Sequence, residues 1–201
     1  MPIGDWVMRE AINRLAVWRR ERPSIEISMN INVSAQQLVN PVFVTNLKSI
    51  LKVAEVPPSS LCFELTETAM LDSGQVAREA LEAIRATGAH LSLDDFGMGY
   101  SSLAHLVGLP IDALKVDRLF VSGVDDGLAS PAIVKAIVAL ARAMNVELIA
   151  EGVESSRQAA ELSAMGCRLA QGYLFSKPLE ETDACTFVSA LDSQPDLAAS
   201  L

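Results

Sequence analysis

Cysteine is scarce in this sequence, and the residues that occur fit neither a disulfide framework nor a metal-binding pattern. Cys62, Cys167 and Cys185 are odd in number, lie far apart and include no C-x-x-C pair. This spacing argues against structural disulfides and against a zinc site. We therefore expect a protein of a reducing, cytoplasmic environment, held together by a packed core rather than by cross-links.

Long apolar runs and an excess of basic residues are also missing. Charged residues such as Arg142 interrupt the apolar runs before they reach the length of a membrane span, and residues 1–5 do not have the pattern of a secretion signal. The chain has 16 basic and 25 acidic residues, a formal net charge of −9. Because the apolar runs are short, we expect no membrane insertion. Because the net charge repels polyanions, we expect no binding to a nucleic-acid polymer.

Aromatic residues make up only 5% of the chain, whereas hydrophobic residues as a whole make up 50%. The core is therefore predicted to consist mainly of aliphatic side chains. A chain of 201 residues is long enough to bury one full core. We expect a single domain over residues 1–191 and a disordered tail over residues 192–201.

Hydrophobic spacing switches repeatedly between the helical and the strand period. Residues 5–20 place apolar side chains at helical spacing, residues 25–33 alternate strictly, and helical spacing returns over residues 36–54. Further strands are predicted at residues 61–66, 91–95, 113–117, 147–152 and 167–175, with helices between them and a last helix at 181–191. Six strands that alternate with helices, without hairpin signals, predict an α/β fold of parallel βα units.

Two adjacent carboxylates, Asp94 and Asp95, end the central predicted strand, and the chain then turns on Gly97 and Gly99. Adjacent carboxylates repel each other, and a divalent cation relieves that repulsion. An ordinary polar turn is the alternative, and these residues alone do not decide between the two. The triplet Asp-Phe-Gly also occurs in protein kinases, but the sequence has neither their glycine-rich loop nor their His-Arg-Asp loop.

Polar residues cluster at the ends of the predicted strands. They are Asn32, Glu64, Asp94, Asp95, Lys115, Asp117, Glu151 and Gln171. Taken singly, each has an ordinary explanation, such as a helix cap for Asn32 or a surface lysine for Lys115. The carboxyl ends of parallel strands form one rim in α/β folds, and ligands bind at that rim. Because these residues all fall there, we interpret them as one functional site.

Six segments resemble the successive motifs of the EAL-domain family. They are Asn32-Val33-Ser34, Glu64-Leu65-Thr66-Glu67, the stretch from Asp94 to Ser102, Leu114-Lys115-Val116-Asp117, Ala150-Glu151-Gly152-Val153-Glu154 and Gln171-Gly172-Tyr173. The resemblance covers residues 1–178 in the order and spacing of the family. It implies a TIM-type (β/α)8 barrel that hydrolyses cyclic di-GMP to linear pGpG with two Mg²⁺ or Mn²⁺ ions, in bacterial second-messenger signalling.

The resemblance also implies roles for individual residues. The implied metal ligands are Asn32, Glu64, Asp94, Asp95 and Glu151, with Asp95 on the second ion. Lys115 would orient and polarise the attacking water, and it is the implied catalytic residue together with Asp95 and Glu151. Asp117 and Gln171 would complete the metal and water network. The residues implied to support the site and the loop after Asp95 are Glu67, Glu154, Phe96, Gly97 and Gly99.

One part of the family pattern is missing. No strand with the Glu-Ala-Leu signature, which supplies a metal ligand and is usually followed by an arginine, precedes the first predicted helix. Glu10-Ala11-Ile12 is similar to this signature and Glu79-Ala80-Leu81 has the same three residues, but both fall within predicted helices. We therefore expect an incomplete barrel of about six βα units, whose open sheet edges favour a homodimer or a partner chain that completes the barrel.

Two alternatives to an active enzyme stay open. The chain is either a catalytically inactive module that binds cyclic di-GMP or a protein partner, or a non-enzymatic remnant that folds only with another chain. The absence of the strand that supplies a metal ligand favours the first alternative. Retained metal chemistry would distinguish the enzyme from the inactive module, and solubility would distinguish both from the remnant.

Overall fold

The computed structural model describes residues 3–67, 69, 74–97, 106, 108–124 and 131–193. Gly99, which belongs to the predicted loop after Asp95, and residues 194–201 of the predicted tail lie outside these residues. Within the described part of the chain, no helix combines the length and the apolar character needed to cross a membrane.

Helices and strands alternate along the described chain. The strands are β1 (Met29–Asn32), β2 (Leu61–Thr66), β3 (His90–Phe96), β4 (Ala113–Val116), β5 (Glu147–Ala150) and β6 (Leu169–Ala170). The helices are α1 (Ile3–Glu21), α2 (Ala35–Leu38), α3 (Phe43–Ala54), α4 (Gly74–Arg85), α5 (Arg118–Val121), α6 (Pro131–Met144), α7 (Ser156–Met165) and α8 (Glu181–Ser193), and a 3₁₀ turn lies at Pro58–Ser60.

The strands are hydrogen-bonded in chain order, from β1 to β6. The pairs β1–β2, β4–β5 and β5–β6 run parallel, with Asn32 opposite Glu64, Lys115 opposite Ile149, and Ala150 opposite Ala170. Parallel neighbours need a crossover connection, which is usually a helix. The predicted α/β fold with six parallel βα units is confirmed.

The described residues fall into two compact units. The first comprises those within 1–93 and 101–111, and the second those within 94–100 and 112–201. In the first unit, α1 buries Met8, Ile12 and Leu15 at helical spacing and packs against β1 and α3. Phe43 of α3 meets Phe63 of β2 edge to face, with ring centroids 6.3 Å apart.

The second unit is built on β4, whose four residues are all buried. Helix α6 packs against β4 and β5. It buries Val134, Ile137, Val138 and Ala141, side chains at the spacing of one helix face. A strand buried along its whole length is typical of a parallel sheet, so Lys115 enters the protein interior because of its position in β4.

Two predicted elements have wrong boundaries, and one helix was not predicted. The helix predicted over residues 36–54 is divided into α2 and α3 at Pro41, which has no backbone N–H for a helical hydrogen bond. β1 has only four residues instead of the nine predicted over 25–33, since its pairing with β2 begins at Met29. A short helix, α5, follows β4 where none was predicted.

The strand predicted over residues 167–175 is reduced to β6, because the chain bends around Val153. The N–H of Val153 donates to the Gln171 carbonyl, and the N–H of Leu174 donates back to the Val153 carbonyl. Gly172 comes so close to Val153 that a Cβ at Gly172 would lie 2.2 Å from that carbonyl oxygen. By contrast, the prediction for the two Glu-Ala-Leu-like triplets is confirmed, since they lie in α1 and α4.

Candidate functional site

Lys115 is a buried cation of the second unit. Its side chain points from β4 into the interior, and the residue is 2% exposed. Its Nζ lies 2.6 Å from Glu151 Oε1 and 3.3 Å from Asp94 Oδ1. Burial of an ammonium group costs free energy unless carboxylates pair with it. Lys115 is therefore not a surface lysine, and it joins the end of β3 to the end of β5.

Asp94, Asp95 and Glu151 form a compact group of carboxylates. One oxygen from each lies within 4.8 Å of the others. The N–H of Asp95 donates to Asp94 Oδ1 at 3.0 Å, and Asp95 adopts a left-handed backbone conformation with a φ of 54°, which is uncommon for residues other than glycine. The predicted cluster at the ends of these two strands is present, and its hard oxygen donors suit a divalent cation such as Mg²⁺ or Mn²⁺.

The environment raises the pKa of Asp95 above its ordinary value of 3.8. Partial desolvation is the largest cause, and the negative charges of Asp94 and Asp117 and a hydrogen bond to Asp117 act in the same direction, whereas Lys115 opposes them. Crowded carboxylates of this kind favour either a bound proton or a bound cation. The site therefore has an electrostatic reason to bind a positive charge beyond that of Lys115.

Asp117 and Gln171 lie in the same region of the second unit. A cavity of about 330 Å³ is lined by residues that include Asp95, Asp117, Glu151 and Gln171. Asp117 also caps α5, since its Oδ1 accepts a hydrogen bond of 2.7 Å from the N–H of Leu119. The predicted proximity of these four side chains is thus present in the structure.

Glu154 lines the same cavity and is held by the start of α7. Gln158 Oε1 accepts hydrogen bonds from the N–H groups of Glu154, at 2.8 Å, and Ser155, at 3.1 Å. Ser155 Oγ in turn accepts from the N–H of Gln158, which completes a capping box. Gln158 was not predicted to have a role, although the Ser-x-x-Gln spacing of residues 155–158 is a sequence signal for such a capping box.

Asn32, Glu64 and Glu67 belong to the first unit. Asn32 lies opposite Glu64 in the β1–β2 register, and both Glu64 and Glu67 are buried. The Nδ2 of Asn30 donates to Glu64 Oε1 at 2.8 Å. Sequence reasoning missed Asn30, although the alternation in β1 places it on the same face as Asn32.

The turn after Asp95 is packed rather than open. Phe96 is buried, and Gly97 has a φ of 97° and lies against the ring of Phe120. The next turn, at Gly152, has a φ of 67° and lies against Arg118. Neither Phe120 nor Arg118 was singled out from the sequence, because no local pattern indicates which residue of a short helix faces a distant glycine.

The chain is similar to proteins of known activity over most of its length. A family profile described as the EAL domain matches residues 1–178. Cyclic di-GMP phosphodiesterase PdeR of Escherichia coli strain K12 is 38% identical over 179 residues, which are 89% of this chain and 27% of PdeR. Cyclic di-GMP phosphodiesterase RocR of Pseudomonas aeruginosa is 40% identical over 155 residues, which are 77% of this chain and 40% of RocR. The chain thus spans less than half the length of these relatives.

Solved structures show the same fold. The EAL enzyme Bd1971, in a form bound to cAMP and cyclic di-GMP, superposes with a TM-score of 0.88 and is 36% identical, over 93% of this chain and 51% of that chain. The manganese and cyclic di-GMP complex of Klebsiella pneumoniae BlrP1 has a TM-score of 0.75 and is 31% identical, over 87% of this chain and 45% of that chain.

Proposed function

The chain belongs to the EAL-domain family, and on that premise we propose that it hydrolyses one phosphodiester bond of cyclic di-GMP to give linear pGpG. The observation that carries this proposal is the group of three carboxylates, from Asp94, Asp95 and Glu151, around the buried ammonium of Lys115. The names of PdeR and RocR, and the cyclic di-GMP bound to Bd1971, support the substrate.

Two Mg²⁺ or Mn²⁺ ions are the proposed cofactors. The proposed ligands are Asp94, Asp95 and Glu151, together with Asn32 and Glu64. The manganese complex of BlrP1 supports the choice of ion. When bound, such ions polarise the phosphoryl group, acidify water and balance charge at both reacting oxygens. They also offset the net charge of −9, which would otherwise repel a dianionic nucleotide.

The residues of the chain would orient water and accept its proton. The Lys115 ammonium donates hydrogen bonds, so it can hold a water oxygen in line with the phosphorus and stabilise the negative charge that develops there. The Asp95 carboxylate lies in the cluster with Asp94 and Glu151 and lines the cavity, where it can accept the proton of the water. The water oxygen bonds to phosphorus, the bond from phosphorus to the leaving ribose oxygen breaks, and that oxygen takes up a proton. Glu151 keeps Lys115 in place.

Hydrolysis of cyclic di-GMP by the 201-residue chain, with Mg²⁺ or Mn²⁺ and chromatographic detection of pGpG, tests the proposal. Lys115→Ala should reduce the rate at least about 100-fold, as loss of a group that stabilises transition-state charge does elsewhere. The exposed lysine of α6 provides the matched control, and Lys135→Ala should keep the wild-type rate.

The other outcomes have distinct meanings. A folded chain that binds cyclic di-GMP without turnover would support the inactive binding module. A folded chain that neither binds nor hydrolyses it would contradict both functions. Equal rates for wild type and Lys115→Ala would contradict the role given to Lys115.

We further propose that the two terminal strands of the sheet order, β1 and β6, pair with a second copy of the chain or with a partner chain. Among the described residues, β1 pairs with β2 and β6 pairs with β5. Unpaired strand edges are sites of further pairing. Sedimentation velocity over a range of concentrations tests this, and a compact, folded monomer at every concentration would contradict it.

A further inference from the structure

The short helix α5 contacts the turn that follows Asp95. Gly97, two residues after Asp95, has a φ of 97°. An added Cβ at Gly97 would lie 2.8 Å from Cε2 and 3.0 Å from Cζ of Phe120. Because real Cβ atoms are not found this close to ring atoms, the Phe120 ring must lie directly against the backbone of the turn. The space beside Gly97 is therefore filled by one aromatic side chain.

The same helix contacts the turn that follows Glu151. Gly152 has a φ of 67°, and an added Cβ there would lie 2.5 Å from Cβ and 3.4 Å from Cα of Arg118. This contact involves the first residue of α5 near its backbone, so it does not depend on where the guanidinium group lies. The two carboxylate-bearing turns thus rest on residues that are two positions apart in one helix.

Helix α5 is too short to be stable by itself, so its position must come from its attachments. Asp117 caps it through the N–H of Leu119, and the Asp117 carbonyl accepts from the N–H of Phe120 at 3.0 Å. Val121 is fully buried, and α5 packs on α6. The helix is therefore fixed to the core of the second unit independently of the two turns that it supports.

We propose that Phe120 is a positioning residue that sets the separation between the carboxylates of Asp95 and Glu151. Its ring fixes the turn after Asp95, while Arg118 fixes the turn after Glu151 on the same helix. This inference rests on the proposed function to the extent that these carboxylates bind divalent cations. The role belongs to the aromatic ring. A smaller side chain removes the contact between the ring and Gly97, and the Asp95 carboxylate then moves relative to Glu151.

The test is Mn²⁺ binding to the full chain after treatment with EDTA, measured by isothermal titration calorimetry. Phe120→Ala should weaken Mn²⁺ binding about tenfold, and Phe120→Leu, which keeps most of the volume, should restore most of the affinity. Leu119→Ala is the matched control, because Leu119 directly precedes Phe120 in the helix and is 60% exposed. It should bind Mn²⁺ as wild type does. Wild-type affinity in Phe120→Ala, or an equal loss in Leu119→Ala, overturns the proposal.

Gly97→Ala provides a second measurement, in the form of a double-mutant cycle with Phe120→Ala under conditions in which all four proteins are folded. In the wild-type background the added methyl displaces the ring, so Gly97→Ala should weaken Mn²⁺ binding more than it does in the Phe120→Ala background. Additive losses in affinity overturn the proposal. A wild-type chain that binds no Mn²⁺ contradicts the proposed function and with it the role of Phe120, whereas equal binding by wild type and Phe120→Ala contradicts the role of Phe120 alone.

Discussion

Lys115 Nζ contacts Glu151 Oε1 at 2.6 Å and Asp94 Oδ1 at 3.3 Å, so one buried ammonium connects the carboxylates of two strand ends. The lysine side chain is 3% exposed, and those of Asp94 and Glu151 are 15% and 19% exposed. Water therefore screens this group only weakly. The arrangement makes the lysine important to the stability of the site.

Replacement of Lys115 by methionine should lower the free energy of unfolding by about 3 kcal/mol in EDTA, because it leaves carboxylates uncompensated in the interior. Mn²⁺ should recover more stability in this variant than it adds to wild type, since a cation then supplies the missing charge. Urea denaturation with and without Mn²⁺ measures both effects, with Lys135→Met as the exposed control. A loss of stability that Mn²⁺ leaves unchanged would contradict the expectation.

Asp95 should make stability depend on pH in a defined direction. Its pKa is raised in the folded chain, so the folded state holds the proton more tightly than the unfolded state does. The resulting stabilisation is full below the ordinary pKa of 3.8 and is lost as pH rises through the raised value. Ionised Asp95 therefore destabilises the chain at neutral pH.

Asp95→Asn removes that destabilisation and tolerates the left-handed backbone. In EDTA at pH 7 the variant should unfold at a higher temperature than wild type, and the difference should shrink as pH falls toward 4. Thermal unfolding over this pH range checks the prediction. If the variant is less stable than wild type at pH 7, or if the difference in stability does not change with pH, ionised Asp95 does not destabilise the chain as expected.

The hydrogen bond from Asn30 to the buried Glu64 carboxylate should stabilise the fold. Loss of the 2.8 Å hydrogen bond to a buried carboxylate should cost about 2 kcal/mol of stability in Asn30→Ala. Asn30→Asp should cost more, because it places a second carboxylate beside Glu64. Chemical denaturation measures the free energy of unfolding of wild type and the two variants and so gives their order of stability. If Asn30→Asp is as stable as wild type, the hydrogen bond has no importance for the fold.

Gln158 should stabilise the segment that bears Glu154. Gln158→Ala leaves the N–H groups of Glu154 and Ser155 without their acceptor and should cost about 1–2 kcal/mol. Gln158→Glu keeps the acceptor oxygen and should restore most of the stability. Gln75→Ala, at an exposed glutamine of α4 that bonds to Glu79, is the matched control. An equal loss in Gln75→Ala would argue against a specific capping role.

The sequence was most informative where hydrophobic residues keep one regular spacing over a whole helix or strand. Alternation and burial coincide in β2, where Leu61, Phe63 and Leu65 are fully buried. Gly166 ends α7 in the left-handed conformation, which glycine adopts without steric cost. The site was predictable for the related reason that strand ends are marked by polar residues. Lys115, Asp94 and Glu151 were grouped correctly because the ends of parallel strands converge.

What the sequence did not predict depends on neighbours that are distant in the chain. Asn30 gains its partner from a strand 34 residues away, and Phe120 acquires its role only from the turn at Gly97. The end of β6 is set by Val153, whose backbone takes over the hydrogen bonds that a longer strand would have used. Such contacts follow from tertiary structure, so they cannot be predicted from the spacing of hydrophobic residues.

The burial of Lys115 also determines how the protein can be handled. Lys48, Lys52, Lys135 and Lys177 are exposed, whereas Lys115 is shielded and paired with carboxylates. Amine-directed dyes and cross-linkers act on accessible, unprotonated amines, so they will modify the four exposed lysines first. The chain can therefore be labelled for fluorescence or tethered to a surface through its amines while the lysine at its centre stays chemically intact.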